Sequence, residues 1–565
     1  MLAETGVSTR FYHIVGLRSL RLRELSGLMT PIPPAVRGPA PWRGTERSPV
    51  KKPSLRDWAR FFWALPVAAA VAAILGFLAV SLSRIGYPFA LEWMEGGSVD
   101  LVRRILSGQS IYVAPSLDYV PFIYTPLYFY ASALTALLLG EGFLPVRLLS
   151  LLSTLGSLAT LFVLVRHEAR DRIAALVATG LFAGTFAASG AWFDLARVDS
   201  FFLALFAASV AALRLRATRG GFLIAGALLA LSFLTKQTAL VAGLPLILFA
   251  LVVHGRLGLW FAGSFAAVAG GASLGFQTAT RPWYLHYLLL PAGDVWVWER
   301  ARGFVTQDLL ATMPVACAAA LALLVLFSLR RQRESLLFWG IFGGGVLAAT
   351  FFSRGRSGGY LNVLMPLHWF LAAAFGVALG EARGMRESSL PAGGSSGAGQ
   401  LAALGAAAAS LLQLALLAYD PRPLIPAEQD RAAGAEVIEM LRSAEGEVLL
   451  PLHAYLAGLA GKRVYLQGNA GLDELRAVGD PARESLIDSI EEAIHERRFE
   501  MIILDRSGLL RWNRFEPIFR DALEESYEES GPVLSSRKVF WTVTGVRTRP
   551  DVVWRPRRAG FVREP

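Results

Sequence analysis

Long apolar segments recur along most of this chain, and they constrain its fold more than any other feature. A helix of about 20 apolar residues can cross a bilayer, because it satisfies its own backbone hydrogen bonds without water. We predict an all-α polytopic membrane protein with about 11 transmembrane helices. Their predicted bounds are residues 61–81, 144–165, 173–191, 199–214, 221–235, 238–254, 259–278, 309–329, 336–352, 361–380 and 401–419.

The overall composition supports a membrane protein. The chain of 565 residues is 54% hydrophobic and 18% charged, whereas soluble domains carry about 25% charged residues. Its net charge of +11 comes from arginines clustered at helix ends, where they set membrane topology. Nucleic acid is therefore not a predicted partner. The single cysteine, Cys317, leaves neither a disulfide framework nor a cysteine-based metal site.

Basic residues near the first span predict the orientation of the chain. Four lysines and arginines at residues 51–60 precede this span, so the positive-inside rule puts the N-terminus in the cytoplasm. We expect a multi-pass protein of a bacterial cytoplasmic membrane. The predicted domains are a disordered basic cytoplasmic tail, a transmembrane catalytic domain and an external C-terminal domain, at residues 1–59, 60–420 and 421–565.

The pattern changes beyond the last predicted span, from membrane-length apolar runs to short alternating elements. Strand-like runs occur at residues 448–452, 463–466, 501–504 and 539–543, and a helical pattern covers residues 484–498. This alternation predicts a small α/β domain.

The segment between the first two predicted spans is expected to hold juxtamembrane helices. Residues 122–139 are apolar, but a crossing there would move the arginine cluster at residues 166–172 to the external side. Before this segment, Val99, Val102 and Ile105 form a narrow apolar stripe, as on an interfacial helix. We therefore expect the first external loop to lie along the outer membrane surface.

Charged residues concentrate in three segments that this topology places outside. The first holds Glu92 and Glu95, and the second, a short loop between two spans, holds Asp194, Arg197 and Asp199. The third set is basic and consists of Lys236, Arg281, Arg300, Arg302, Arg354 and Arg356. Positive charge outside runs against the topological bias, so it indicates an anionic ligand such as a phosphate.

A carboxylate beside cations that hold a phosphate suits glycosyl transfer from a lipid phosphate. The carboxylate takes a proton from the incoming hydroxyl or amine, which commonly contributes about 10²- to 10⁴-fold. The cations stabilise the charge that develops on the departing phosphate. Because phosphate is a good leaving group, one essential carboxylate suffices. The remaining acidic residues could orient the acceptor or bind a divalent cation, and no other cofactor is predicted.

Five motifs follow one another in an order that resembles the polytopic GT-C glycosyltransferases. They are Glu95-Gly96, Gly108-Gln-Ser-Ile-Tyr112, Tyr124-Thr-Pro-Leu-Tyr128, Arg197-Val-Asp199 and Phe233-Leu-Thr-Lys236. The sequence is similar above all to the family-39-like branch, which includes protein O-mannosyltransferases and the lipid A aminoarabinose transferase. The resemblance covers residues 85–380. It implies a catalytic acidic residue in the first external loop and a polyprenyl-phosphate sugar as donor, although Met94 stands where these enzymes usually have an aspartate.

The candidate catalytic residues are Glu95, Glu92 and Asp199. Glu95 is the predicted base, and Glu92, three residues earlier, could share a helical face with it and compete for this role. Asp199 matches the acidic residue of the family's second loop, although an aspartate before an apolar run also caps helices. The candidate substrate-binding residues are Asp194, Arg197, Lys236, Arg354, Arg356, Tyr124, Tyr128, Tyr360 and Asn362.

The binding assignments have structural alternatives. Lys236, Arg354 and Arg356 are predicted to hold the phosphate, but such side chains also extend toward lipid headgroups. The aromatic run at residues 119–130 could be a platform for a sugar or a belt at the membrane interface. The turn at residues 358–362 is predicted to approach a ligand, whereas its glycines could serve helix packing.

We predict an inverting glycosyltransferase that moves a hexose or pentose from a polyprenyl phosphate to a glycan, lipid or protein acceptor. The reaction would take place at the external face of the membrane, whose lipids are further partners. A second hypothesis is a lipid-linked saccharide transporter or flippase, but such proteins usually bind near the midplane and often contain internal repeats. A third is a scaffolding membrane protein whose working part is the external domain.

Overall fold

The structure, a computed structural model, describes residues 55–290, 295–388, 397–476, 479–505 and 515–557. Most of the predicted tail, residues 1–54, lies outside these ranges. The helices of the N-terminal and middle parts are α1 (Leu55–Arg84), α2 (Glu95–Leu106), α3 (Leu127–Leu139), α4 (Phe143–Ala169), α5 (Arg172–Gly184), α6 (Val198–Leu215), α7 (Arg219–Phe233), α8 (Thr238–His254), α9 (Arg256–Thr280), α10 (Trp283–Leu289), α11 (Trp298–Gly303), α12 (Pro314–Leu329), α13 (Arg333–Arg354), α14 (Met365–Ser388) and α15 (Gly397–Leu416).

The polytopic helical fold predicted from the apolar segments is confirmed. Among the described residues, six helical segments are long and apolar enough to cross a membrane, and a bent pair of helices would make a seventh. The six segments are Phe62–Arg84, Phe143–Ala169, Val198–Leu215, Arg256–Thr280, Arg333–Arg354 and Leu361–Gly384. Helices α5, α7, α8 and α15 lie at further predicted spans but are shorter, so the number of about 11 spans stays a prediction.

Small residues and interhelical hydrogen bonds hold the helices together. Gly180 of α5 lies so close to α1 that a Cβ atom there would be 2.4 Å from Ala70. Ser209 of α6 donates a hydrogen bond to the carbonyl of Ala225 in α7 at 2.7 Å. Because lipid gives apolar helices no hydrophobic drive to associate, close packing and hydrogen bonds of this kind position the helices that carry the site.

The first loop, between α1 and α4, contains α2 and α3 and lies under C-terminal residues. A Cβ atom at Gly96 would be 2.2 Å from the ring of Tyr455, and one at Gly97 would be 2.6 Å from the side chain of Gln467. The buried face of α2 is therefore covered by protein, which the sequence did not predict.

The C-terminal part has a small mixed sheet. Its strands follow the order β1-β2-β4-β3, with β1 and β2 parallel and the other pairs antiparallel. This sheet and its helices confirm the predicted α/β character. The elements are α16 (Glu428–Ser443), β1 (Glu447–Leu449), α17 (Ala454–Leu459), α18 (Gly468–Leu475), α19 (Pro481–His495), β2 (Phe499–Leu504), α20 (Phe515–Ser526), β3 (Tyr527–Pro532) and β4 (Val552–Pro556).

Two runs predicted as strands, at residues 463–466 and 539–543, are not strands in the structure. Instead, the backbone N–H of Leu466 donates to the carbonyl of Leu117 in the first loop at 2.8 Å. The N–H of Val543 donates to the carbonyl of Leu91 in the same loop at 3.0 Å. Alternating apolar residues do not reveal which segment the backbone will pair with, so this pairing with the first loop was missed.

Candidate active site

Glu95, the predicted base, is the first residue of α2 and is completely buried. Both of its oxygens bond to Arg147 of α4, with Nε 2.9 Å from Oε1 and Nη2 2.7 Å from Oε2. The backbone N–H groups of Leu91 and Ala196 donate to the same carboxylate at 2.6 and 2.7 Å. Although burial opposes ionisation, Arg147 and these donors hold the pKa of Glu95 below its usual value. Four hydrogen bonds fill the accepting capacity of this carboxylate.

Glu92 lies in the turn before α2 and is also completely buried, but it has fewer partners. Its Oε2 accepts a hydrogen bond from the backbone N–H of Met94 at 3.1 Å and lies 3.9 Å from Nη1 of Arg197. Its Oε1 has no hydrogen-bond partner among the described residues. Burial outweighs the attraction of Arg197 and raises the pKa of Glu92 to about 8. This carboxyl can therefore exchange a proton near neutral pH.

A C-terminal loop covers Glu92. The carbonyl of Leu91 accepts hydrogen bonds from the N–H groups of Val543 and Thr544 at 3.0 and 3.2 Å. Gly545 follows with a φ of 70°, and a Cβ atom there would lie 2.9 Å from Cγ of Glu92. Both the left-handed backbone and this contact favour glycine. The burial that shifts the pKa of Glu92 thus comes partly from the C-terminal region.

Asp199 and Lys236 form a second buried ion pair. Asp199 lies in the first turn of α6, and Nζ of Lys236, in the linker between α7 and α8, donates to its Oδ1 at 2.6 Å. The side-chain amide of Asn362 donates to the same oxygen at 2.9 Å. Within the described part of the chain, Oδ2 of Asp199 has no hydrogen-bond partner. Three residues predicted from distant segments therefore meet here.

Arg197 lies between the two carboxylate sites. Its Nη2 donates to the hydroxyl of Tyr124 at 2.8 Å, while its Nη1 faces Glu92 at 3.9 Å. Burial raises the pKa of Tyr124 to about 12, so its hydroxyl stays neutral. Arg197 connects the first loop to the start of α6.

Three predicted binding residues have structural contacts instead. Asp194 pairs with Arg84 of α1 through two hydrogen bonds of 2.8 and 2.5 Å. The hydroxyl of Tyr128 bonds inside the helix bundle, 2.9 Å from a serine hydroxyl of α4. Arg354, at the end of α13, donates to Asp308 at 2.8 Å. These contacts fix helix ends and the segments between them.

A cavity of about 190 Å³ lies beside the two carboxylate sites. Met94, at the position where the resemblance implies an aspartate, is part of its lining. Six predicted site residues also line it: Tyr124, Arg197, Lys236, Arg356, Tyr360 and Asn362. Glu92 and Asp199 contact lining residues without belonging to the lining, and Glu95, Asp194, Tyr128 and Arg354 lie outside it.

Several buried polar atoms of the lining have no hydrogen-bond partner among the described residues. Such atoms cost free energy unless something pairs with them, so their concentration around one cavity indicates a polar ligand. They are Nε1 of Trp93, Nε1 of Trp192, Nε and Nη1 of Arg197, Oδ1 of Asn362 and Oδ1 of Asn469.

Sequence reasoning missed Arg147 and the cavity wall formed by α18. Arg147 lies inside the predicted span 144–165, and an arginine within an apolar span is itself a signal of a buried partner. Asn469 and Asp473 of α18, together with Arg476, line the cavity but belong to no recognisable motif. Their position depends on packing between distant parts of the chain, so no local pattern could reveal it.

The divalent cation considered from the acidic residues stays a prediction. A group of possible metal ligands within the described ranges, His286, Glu474 and Asp480, has its atoms within 4.8 Å of one another but contains none of the predicted site residues. His286 Nε2 lies 3.0 Å from Glu474, and this hydrogen bond raises the pKa of His286. The arrangement is also that of an ion pair between α10 and the C-terminal region.

Known proteins resemble part of this sequence and most of this fold. Residues 121–280 match the family model described as dolichyl-phosphate-mannose-protein mannosyltransferase. A sequence search among curated proteins found no match.

Solved structures resemble this chain over most of its length. ArnT from Cupriavidus metallidurans in the apo state is 16% identical, with a TM-score of 0.50 over 86% of this chain and 98% of that chain. The same protein bound to undecaprenyl phosphate is 14% identical, with a TM-score of 0.50 and coverages of 89% and 98%. The archaeal oligosaccharyltransferase AglB from Archaeoglobus fulgidus, in complex with an inhibitory peptide and a dolichol-phosphate, is 11% identical, with a TM-score of 0.52 and coverages of 84% and 73%. At these identities the likeness shows a shared fold.

Proposed function

We propose that this chain, a membrane protein with the GT-C glycosyltransferase fold, transfers a sugar from a polyprenyl phosphate to an acceptor at the external face of a bacterial cytoplasmic membrane. The mannosyltransferase family model that matches residues 121–280 supports sugar transfer. The complexes of ArnT with undecaprenyl phosphate and of AglB with a dolichol-phosphate support a polyprenyl-phosphate donor.

One observation carries the proposal: the cavity combines four cationic side chains with buried polar atoms that have no partner among the described residues. Arg197, Lys236 and Arg356 contribute to its lining, and so does Arg476, which pairs with Asp473. Lys236 gives one hydrogen bond to Asp199, and an ammonium has three donors, so it keeps donors for a phosphate. One guanidinium group can donate two parallel hydrogen bonds to the oxygens of a phosphate. A sugar phosphate would satisfy both the cations and the unpartnered polar atoms.

The proposed reaction is a single displacement. The acceptor oxygen forms a bond to the anomeric carbon while the bond from this carbon to the phosphate oxygen breaks, so the configuration inverts. The acceptor hydroxyl gives its proton to a carboxylate, and the polyprenyl phosphate leaves with a negative charge that Lys236 and Arg356 stabilise.

The contacts favour Glu92 over Glu95 as the proton acceptor. Glu95 already accepts four hydrogen bonds, and its lowered pKa makes it a poor base. Glu92 has an unpartnered oxygen among the described residues and a pKa raised to about 8, which matches a base that works near neutral pH. Glu95 then serves to fix the loop that carries Glu92.

The test is transfer in proteoliposomes from a panel of undecaprenyl-phosphate-linked hexoses and pentoses, with products identified by mass spectrometry. We expect Glu92→Gln to lower the rate by about 10²- to 10⁴-fold while undecaprenyl phosphate still binds. Near-normal transfer by Glu92→Gln would remove this residue as the base. A wild type that neither transfers nor binds undecaprenyl phosphate would overturn the function. Movement of the lipid-linked saccharide across vesicles without transfer would instead support the flippase hypothesis.

A further inference from the structure

We propose that α18 forms a wall that recognises sugar hydroxyl groups, with Asn469, Asp473 and Arg476 as its recognition residues. This inference rests on the proposed function, because it names how the same cavity selects the saccharide. The shared chemistry is a set of hydroxyl groups, which either the sugar of the donor or a glycan acceptor could supply.

Helix α18 contributes directly to the cavity. It belongs to the C-terminal region, yet Asn469, Asp473 and Arg476 line the same cavity as Arg197, which precedes α6, and Lys236, which lies between α7 and α8. The C-terminal region is thus part of the site itself, and the cavity is incomplete without it.

Hydrogen bonds hold α18 in place against the first loop and the rest of the C-terminal region. The side chain of Gln467 caps the helix by accepting from the N–H of Asn469 at 3.0 Å. The side-chain amide of Asn469 donates to the carbonyl of Trp93 at 3.0 Å, and the N–H of Gly468 donates to Pro451 at 2.5 Å. A wall fixed in this way loses little conformational entropy when a ligand binds.

Asn469 offers the cavity an acceptor that has no partner among the described residues. Asn469 is 2% exposed, and its Oδ1 has no hydrogen-bond partner in the described ranges. Since its amide nitrogen is used by Trp93, the free oxygen can accept from a donor in the cavity. A sugar hydroxyl is such a donor, whereas an ionised phosphate is not.

The charges of Asp473 and Arg476 in this wall balance each other. Nη1 of Arg476 lies 3.0 Å from Oδ1 of Asp473, so these two side chains offer an acceptor and a donor with no net charge. Hydroxyl groups both donate and accept, and this pair suits them better than it suits a phosphate. The indole of Trp93, packed at 5.8 Å against the ring of Tyr360, adds an aromatic surface beside the pair. The cavity is therefore divided into a cationic part for phosphate and a neutral part for sugar.

The experiment uses the full-length protein with Asp473→Asn and Arg476→Gln, and Asp488→Asn as the matched control. Asp488 is exposed on the neighbouring helix α19 and does not line the cavity. We expect kcat/KM for transfer to fall by roughly 10- to 100-fold in the two wall variants, as for the loss of one charged hydrogen bond. The affinity for undecaprenyl phosphate, which lacks a sugar, should stay unchanged. A rise in KM for the acceptor alone would identify the acceptor glycan as the bound saccharide, and a rise in KM for the donor alone would identify the donor sugar.

Saturation-transfer NMR with methyl glycosides keeps the inference testable without transfer activity. Wild type and Asp488→Asn should give the signal of a bound glycoside, and Asp473→Asn should lose it. The inference is overturned if transfer and glycoside signals survive in both wall variants. It is also overturned if undecaprenyl phosphate binding falls together with transfer, because α18 would then belong to the phosphate part. Failure of undecaprenyl phosphate binding in the wild type would count against the proposed function and leave the glycoside result standing.

Discussion

Arg147 and Glu95 form a bidentate ion pair in which both side chains are completely buried. The pair joins α4 to the first turn of α2, and Arg147 also donates to the carbonyls of Tyr87 and Phe89 at 2.6 Å each. The carboxylate that the sequence marked as the base therefore fixes the first loop to the helix bundle. Breaking the pair should affect folding before it affects chemistry.

The first prediction concerns this pair. Arg147→Met should destabilise the protein by about 3–5 kcal/mol, because it leaves a buried carboxylate without its counter-ion. The double variant Arg147→Met with Glu95→Leu should recover part of this loss, since an apolar pair replaces the ions. It should not recover all of it, because Leu91 and Ala196 lose their acceptor. Thermal unfolding in detergent measures the difference, and equal melting temperatures for the single and double variants would contradict a coupled pair.

The second prediction is the pH dependence of transfer. Because burial raises the pKa of Glu92 to about 8, only a minor fraction of this base is ionised at pH 7. The value of kcat/KM should therefore rise with pH and level off above about 8. A rate profile measured from about pH 5.5 to about 9.5, on either side of this pKa, checks this. A profile that is flat through this range would exclude Glu92 as the titrating base.

The same carboxyl group should make the free energy of unfolding fall with rising pH, whereas the transfer rate rises. In the unfolded chain Glu92 ionises near 4.5, and in the folded chain its pKa is about 8. Because the unfolded chain releases the Glu92 proton at a lower pH than the folded chain does, the free energy of unfolding falls as the pH rises from the unfolded pKa to the folded one. Glu92→Gln should thus gain stability relative to wild type between these two pH values. If the difference in free energy of unfolding between the two proteins stays constant across this pH window, the assigned burial of Glu92 is wrong.

The fourth prediction tests the C-terminal loop that covers Glu92. In Gly545→Ala the new Cβ atom would lie 2.9 Å from Cγ of Glu92, so the loop must shift and admit water. The pKa of Glu92 should then fall toward its usual value, and the midpoint of the rate profile should move to lower pH. Gly461→Ala is the matched control, because Gly461 also has a positive φ, 77°, but a Cβ atom there would meet no described atom within 4 Å. An unchanged midpoint in Gly545→Ala would separate the loop from the base.

The sequence was sufficient to predict the helical membrane fold and six of the residues that line the cavity. Lys236, Asp199 and Asn362 come from separate segments, yet their charges at helix ends and the glycine turn near Asn362 predicted a common site. The sequence could not distinguish Glu92 from Glu95, because the difference lies in Arg147, which is 52 residues from Glu95 in the chain. Two carboxylates three residues apart cannot be told apart until it is known which of them accepts the hydrogen bonds of Arg147.

The same limit applies to Arg354 and Arg356, which were predicted to hold the phosphate together. Arg354 ends α13 and turns its guanidinium to Asp308 and to the carbonyl of Gly359, whereas Arg356 contributes to the cavity lining. Two residues of spacing after a helix end are enough to send the side chains in different directions. Local sequence cannot fix these directions, since they depend on the segment around Trp296 that pairs with Arg356.

The last prediction separates these arginines by experiment. Arg356→Gln should weaken undecaprenyl phosphate binding by roughly 10- to 100-fold, as expected for the loss of one charged hydrogen bond. Arg354→Gln should lower the melting temperature, because Asp308 is 8% exposed and loses its partner, while the folded protein keeps its affinity for the lipid phosphate. Binding measured by native mass spectrometry and unfolding measured on the same preparations distinguish the two effects. If both variants lose affinity equally at full stability, the phosphate contacts both arginines, and the division of roles inferred from the cavity is wrong.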